Sequence, residues 1–114
     1  MDERCYVYAS LPATPGLEEV PAVGFIAHMD TAHYEAGHVR PRLHPDYDGG
    51  AVQLEGRVLS PEMFPHLPGL KGQTLITAAG DTLLGADDKA GIAEIMTMVE
   101  RLQAEGLPHG RVCV

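Results

Sequence analysis

The stretch Pro21-Ala-Val-Gly-Phe-Ile-Ala27, followed at once by His28-Met-Asp-Thr31, decides the fold class. An unbroken run of apolar and small residues has the length of one β-strand. Such a run suits a strand buried on both faces in the middle of an α/β sheet. It gives way abruptly to ionisable side chains. In open α/β sheets, ligands gather outside the carboxyl ends of strands. Residues i and i+2 of an extended segment share a side, so His28 and Asp30 are set to face one another.

Outward from this strand, the clearest periodic segment lies downstream. Ile92, Ile95, Met96, Val99 and Leu102 recur at helical spacing and predict one apolar face. Glu94, Glu100, Arg101, Gln103 and Glu105 occupy much of the remainder. Asp87 and Asp88 fall at the expected N-terminus, where unpaired N–H groups and the helix dipole favour carboxylates. Gly106, with Pro108 beyond it, is the expected stop. Tyr6 to Ala9 and Arg111 to Val114 read as strands, with a turn at Pro12 to Gly16. Between Thr31 and Gly72, frequent Pro and Gly and little periodicity predict a long irregular loop. Within it, Val52 to Leu59 suggests a short strand and Pro61 to Leu67 a helical turn. Thr74 to Thr77 reads as a short strand, Ala79-Gly-Asp81 as a turn, and Thr82 to Leu84 as a second extended piece. The order strand, strand, loop, short strands, helix, strand predicts an α/β layer structure with one covered mixed sheet.

Composition narrows the function. The chain has 114 residues and a formal net charge of −8, about one domain or less. Nucleic acid as the main partner needs clustered Lys and Arg, and an anionic membrane surface needs a basic face, so both are excluded. A hydrophobic content of 45% rules out a disordered acidic tail. No apolar run has the length to cross a bilayer, and no signal peptide is visible. Cys5 and Cys113 form no spaced motif and read as reduced thiols of a cytoplasmic protein. The first and last strands both read as cut into structure, so an incomplete domain is expected. An acidic chain with an unpaired sheet edge can also self-associate, which leaves a homo-oligomer open.

Two places combine structural abruptness with ionisable groups. One is His28-x-Asp30. An imidazole that binds a metal through one nitrogen usually gives its other N–H to a carboxylate or carbonyl. The other is Gly85-Ala-Asp-Asp-Lys-Ala-Gly91, an acidic pair between glycines where extended chain meets helix. It lacks the spacing of a phosphate-binding Walker loop. Taken singly, the first pattern also suits a surface turn and the second a helix cap with solvated charge.

Taken together and in order, they carry a resemblance. Val23-Gly-Phe-Ile-Ala-His-Met-Asp-Thr31 resembles the first metal motif of the peptidase T family of tripeptide aminopeptidases. Leu83-Leu-Gly-Ala-Asp-Asp-Lys-Ala-Gly-Ile-Ala-Glu-Ile95 is similar to its second. Leu59-Ser-Pro-Glu-Met-Phe-Pro65, Gly72-Gln-Thr-Leu-Ile-Thr77 and Pro108-His-Gly110 fit the same family, and the likeness runs from about Val7 to Val114. The wider group is the co-catalytic two-zinc peptidases.

The resemblance implies a partial zinc-exopeptidase-like catalytic domain over residues 1–114, without the N-terminal helical region, the rest of the catalytic domain or the lid and dimerisation domain. It implies His28 as a zinc ligand, Asp30 as the catalytic-site carboxylate that orients His28, and Asp87 as the carboxylate bridging two zincs. Asp87 is preferred to Asp88 because relatives carry an Asp-x-Lys order there. Asp88 and Lys89 are helix-start residues without a direct role.

The implied activity is release of the N-terminal residue of a tripeptide by metal-activated water. Two ligands do not fill a catalytic zinc site, which ordinarily uses three protein ligands and water, so this chain alone is expected to be inactive. The other readings are a related di- or tripeptidase or deacylase, and a non-enzymatic metal-binding or interaction module. His33, His38, His44, His66 and His109 are expected to be loop or surface residues. His38 and Arg40 depart from the family's asparagine-rich segment. Asp46-Tyr-Asp-Gly-Gly50 reads as a tight glycine turn.

Overall fold

Short strands joined by glycine turns dominate the computed structural model, which describes residues 1–114. The chain divides into two compact units. One comprises residues 1–30 and 86–114, and the other, residues 31–85, is inserted between those segments. No helix is long and apolar enough to cross a membrane.

The first unit holds a three-stranded mixed sheet. Strands β1 (Ser10–Leu11), β2 (Val23–Gly24) and β7 (Val112–Cys113) lie in the order β1-β7-β2. β1 runs antiparallel to β7, with Leu11 opposite Val112, and β2 runs parallel to β7, with Val23 opposite Val112. Parallel neighbours need a crossover connection, and the sole α-helix, α1 (Ala86–Ala104), lies in it. The ladder extends past the strand ends: Ala9 and Val114 exchange N–H···O bonds at 2.9 Å, and the Phe25 N–H donates to the Cys113 carbonyl at 2.9 Å.

On α1, Ile95 is buried while Ile92, Met98, Val99 and Leu102 are half-buried. Met96, expected on this face, is exposed. A helix turns about 100° per residue, so the residue after Ile95 leaves a stripe centred on it. The helix ends as its sequence predicts: Gly106 takes φ +62° and the Leu107 N–H donates to the Leu102 carbonyl at 3.1 Å.

The second unit corrects the long irregular loop. Strand β3 (Arg42–His44) pairs antiparallel with β6 (Leu75–Thr77), and β4 (Val52–Leu54) pairs with β5 (Arg57–Leu59) in a hairpin turning at Glu55-Gly56. Tyr47, Val52 and Leu67 form a small core lined by Leu54, Leu59, Leu70 and Leu75. Burial raises the pKa of the Tyr47 hydroxyl, which donates to the Gly50 carbonyl. The expected helical turn lies slightly later, as a 3-10 segment at Leu67–Leu70, and Thr82 to Leu84 forms no strand. Strands of three residues are too short to display an alternation that composition can reveal.

Two further expectations change. The apolar run at residues 21–27 is a sheet edge, and β7 is the centre: Val23 is 52% and Ile26 96% exposed, so the sheet is not covered there. Regular strand begins at Ser10, and Tyr6, Val7 and Tyr8 before it are exposed. The common reason is that a sheet of three short strands has too little surface to enclose an apolar strand on both sides. His44 is likewise no loop residue: it sits on β3, half-buried, with Nε2 3.1 Å from the Thr77 hydroxyl.

The hairpin turn is fastened to the following loop at Gly80. The Glu55 N–H donates to the Ala79 carbonyl at 2.7 Å, and a Cβ on Gly80, whose φ is +132°, would lie 2.5 Å from the Glu55 carbonyl oxygen. Arg40 Nη2 reaches Glu55 Oε2 at 2.7 Å and Asp81 Oδ2 at 2.9 Å, and Arg42 Nη2 reaches Glu55 Oε1 at 2.6 Å. Gly80→Ala is therefore expected to destabilise the second unit by about 2 kcal/mol. Gly69→Ala, which adds a Cβ to open space, is expected to change stability by less than about 1 kcal/mol. Urea denaturation of both variants checks the contrast.

Asp81 gives a pH signature. Its hydrogen bond from Arg40 holds the carboxyl below its ordinary pKa, and a backbone N–H adds to the effect. A lowered carboxylate pKa contributes stability present above the ordinary carboxylate range and lost as pH falls through the lowered value. Arg40→Gln is expected to raise the Asp81 midpoint, measured by carboxyl-carbon NMR titration, and to move the acid unfolding edge to higher pH.

Candidate functional site

All residues of the candidate site belong to the first unit. β2 ends at Gly24, and the extended chain beyond it carries His28 and Asp30. Asp87 enters from the start of α1, where Asp87 (φ −91°, ψ 101°) and Asp88 (φ −127°, ψ 38°) are not helical. The peptide bond between them is cis.

The His28 ring lies between two carboxylate-bearing residues. Its Nδ1 is 3.0 Å from the Asp30 backbone carbonyl and 3.3 Å from Asp30 Oδ1, while Nε2 is 3.2 Å from Asp87 Oδ1. The carbonyl of Asp30 is thus closer to the ring than its carboxylate, which is largely exposed. Asp88 points elsewhere: its Oδ1 accepts the Gly91 N–H at 3.1 Å.

This arrangement has a definite electrostatic requirement. With Nδ1–H donating to a carbonyl, a neutral imidazole presents a lone pair at Nε2. Asp87 Oδ1 presents lone pairs as well. Two acceptors 3.2 Å apart repel unless a positive charge joins them, and that charge is either a second imidazole proton or a cation. The His28 pKa is raised: the hydrogen bond to the Asp30 carbonyl raises it most, desolvation opposes it, and the charges of Asp30, Asp87 and Asp88 each add a smaller increase.

The second option is tested by the donor set. Imidazole nitrogen and carboxylate oxygen are both zinc ligands with bonds of roughly 2.0–2.2 Å, which places two donors on one tetrahedral ion about 3.4 Å apart. The observed separation of 3.2 Å fits that spacing. Only two donors converge; no group of three His, Cys, Asp or Glu side chains is gathered in the chain. His33, His38 and His66 are exposed, and His109 turns its Nδ1 to the Gly110 carbonyl at 2.7 Å.

The cap made by Asp88 and Gly91 gains a purpose only in three dimensions. Its sequence signal is an Asp followed three residues later by Gly, where a helix begins.

An α/β chain thus brings an imidazole and a carboxylate to one position. No protein-family model matches the chain. Individual relatives are nevertheless clear: over its whole length the chain is homologous to proteins named Peptidase T. It is 51% identical to the one from Geobacillus kaustophilus, 50% to that of Shouchella clausii and 47% to that of Bacillus mycoides, with all of this chain aligned each time. The chain spans 28–29% of the length of these relatives.

In the metal-free chain, His28 is expected to titrate above the ordinary imidazole value, and Asp87→Asn to lower its midpoint. A raised histidine pKa contributes stability that is fully present below the ordinary imidazole range and is lost as pH rises through the raised midpoint. Proton NMR of the ring against pH, with thermal melts on both sides of the midpoint, checks both statements.

Proposed function

We propose that this chain forms part of the active centre of a two-zinc aminopeptidase that removes the N-terminal residue of short peptides, tripeptides foremost. The observation that carries the reading is the 3.2 Å approach of His28 Nε2 to Asp87 Oδ1, in a chain homologous throughout to proteins named Peptidase T. In this reading the fold is part of a zinc-exopeptidase-like catalytic domain, and the free thiols of Cys5 and Cys113 suit work in the cytoplasm.

Each residue has a distinct task. His28 offers Nε2 as a zinc donor. Asp30 fixes the ring through its carbonyl at Nδ1, which selects the tautomer whose lone pair is on Nε2. Asp87 supplies carboxylate oxygens on the far side of the same position, where one carboxylate can hold two cations and offset part of their charge. Zinc, when bound, polarises the scissile carbonyl and lowers the pKa of water. The further ligands and the general base are contributed by parts of such a protein beyond these 114 residues, so the chain alone binds metal without efficient turnover.

Calorimetric titration with zinc is expected to show micromolar or tighter binding, weakened at least about tenfold by His28→Ala and by Asp87→Ala. Binding unchanged in both variants would sink the assignment. In a tripeptide assay with excess zinc the chain is expected to show no turnover. Hydrolysis abolished by His28→Ala would show that two donors suffice, contrary to this reading.

A further inference from the structure

Asp88 is the charged neighbour for which the metal reading has no use, and Gly91 is a costly residue for a helix. Glycine inside a helix is unfavourable by about 1 kcal/mol relative to alanine. Each explains the other. Asp88 has non-helical dihedrals and its Oδ1 accepts the Gly91 N–H at 3.1 Å, the N-cap geometry in which a side chain satisfies the N–H three residues on. A Cβ on Gly91 would collide with that same carboxylate oxygen. An alanine at 91 would push the Asp88 carboxylate from its present position.

The cap fixes more than the helix. Asp87, one residue earlier, has a side chain that is 96% exposed, and its one charged contact is with His28. No packing holds it. What determines where its carboxylate points is the backbone, and the backbone leaves the helix at Asp88. Without a capping side chain there, the first turn of the helix is free to fray. Fraying shifts the backbone at Asp87 and carries its carboxylate away from Nε2.

We propose that the Asp88–Gly91 cap is a positioning device for the metal-bridging carboxylate, holding Asp87 at its 3.2 Å approach to His28. Asp88 acts through the backbone and touches no metal. This rests on the zinc reading given above, and it predicts a pattern that a ligand or a plain helix stabiliser would not produce.

The test compares Asp88→Ala, Asp88→Asn and Gly91→Ala in the full 114-residue chain by zinc calorimetry, thermal melting and NMR of the metal-free protein. Asparagine caps as well as aspartate, so Asp88→Asn is expected to keep zinc affinity within about threefold. Asp88→Ala and Gly91→Ala are each expected to weaken zinc about tenfold, the scale of a lost outer-shell partner. Gly91→Ala is expected to do so with little change in melting temperature, because the gain in helix propensity offsets the lost cap.

In the metal-free chain, the His28 ring resonances are expected to move in Asp88→Ala and Gly91→Ala and to stay in Asp88→Asn. Equal losses of zinc affinity in Asp88→Asn and Asp88→Ala would overturn the proposal by making the charge itself responsible. So would wild-type affinity and unmoved ring resonances in Gly91→Ala. Failure of the wild-type chain to bind zinc would defeat the metal reading alone, and the ring resonances would still decide whether the cap positions Asp87.

Discussion

Lone pairs on an imidazole nitrogen and on a carboxylate oxygen cannot face one another at 3.2 Å without a positive charge to join them, and the candidate site is organised around that constraint. The His28–Asp87 contact brings together residues from two sequence segments. It requires Nδ1 to be committed elsewhere, and the Asp30 carbonyl commits it. It requires the chain to leave β2 extended and to enter α1 at a fixed residue. The parallel pairing of β2 with β7 meets the first demand, and the Asp88 cap meets the second. The His28 pKa is raised, chiefly by the hydrogen bond to the Asp30 carbonyl, with the Asp87 charge adding to it. In the proposed zinc reading, a divalent cation would take both groups as ligands.

What the sequence made legible follows from the range of the interactions involved. Helix α1 and its stop at Gly106 depend on contacts within a few residues, and periodicity and a glycine revealed them directly. The pairing of His28 with Asp87 is long-range, and spacing alone left each motif open to a plainer reading as a turn or a cap. Only the ordered likeness to a known family joined them. The cap was in fact there as well: Asp88 is a helix cap and Asp87 is not.

The misreadings share one physical cause. An apolar run such as residues 21–27 reports what a strand is suited to bury against, whereas exposure depends on what this chain provides. Here β2 is an edge with Val23 and Ile26 in solvent. Conversely, the Pro- and Gly-rich segment after Thr31 read mostly as loop, with one short strand and one helical turn expected in it, because its order resides in three-residue strands, turns, a small core and ion pairs, none of which shows a period. Gly80 is the clearest example: its role arises from the Glu55 backbone pressed against it, a contact that no local pattern encodes.

The inserted unit bears on how the pair at His28 and Asp87 is affordable in entropy. Joining two groups across a long flexible loop carries a closure cost that grows with loop length. Residues 31–85 are not a flexible loop. Near their two ends the Leu83 N–H donates to the Glu35 carbonyl at 2.9 Å, and Arg40 bridges to Asp81. The segment therefore closes on itself through its own backbone and side-chain bonds, so the ordering entropy is met within that unit. An isolated imidazole–carboxylate contact in solvent is worth little and would not hold such a loop shut. Within the first unit, the β2–β7 ladder and the capped helix that connects to it hold the two residues in place.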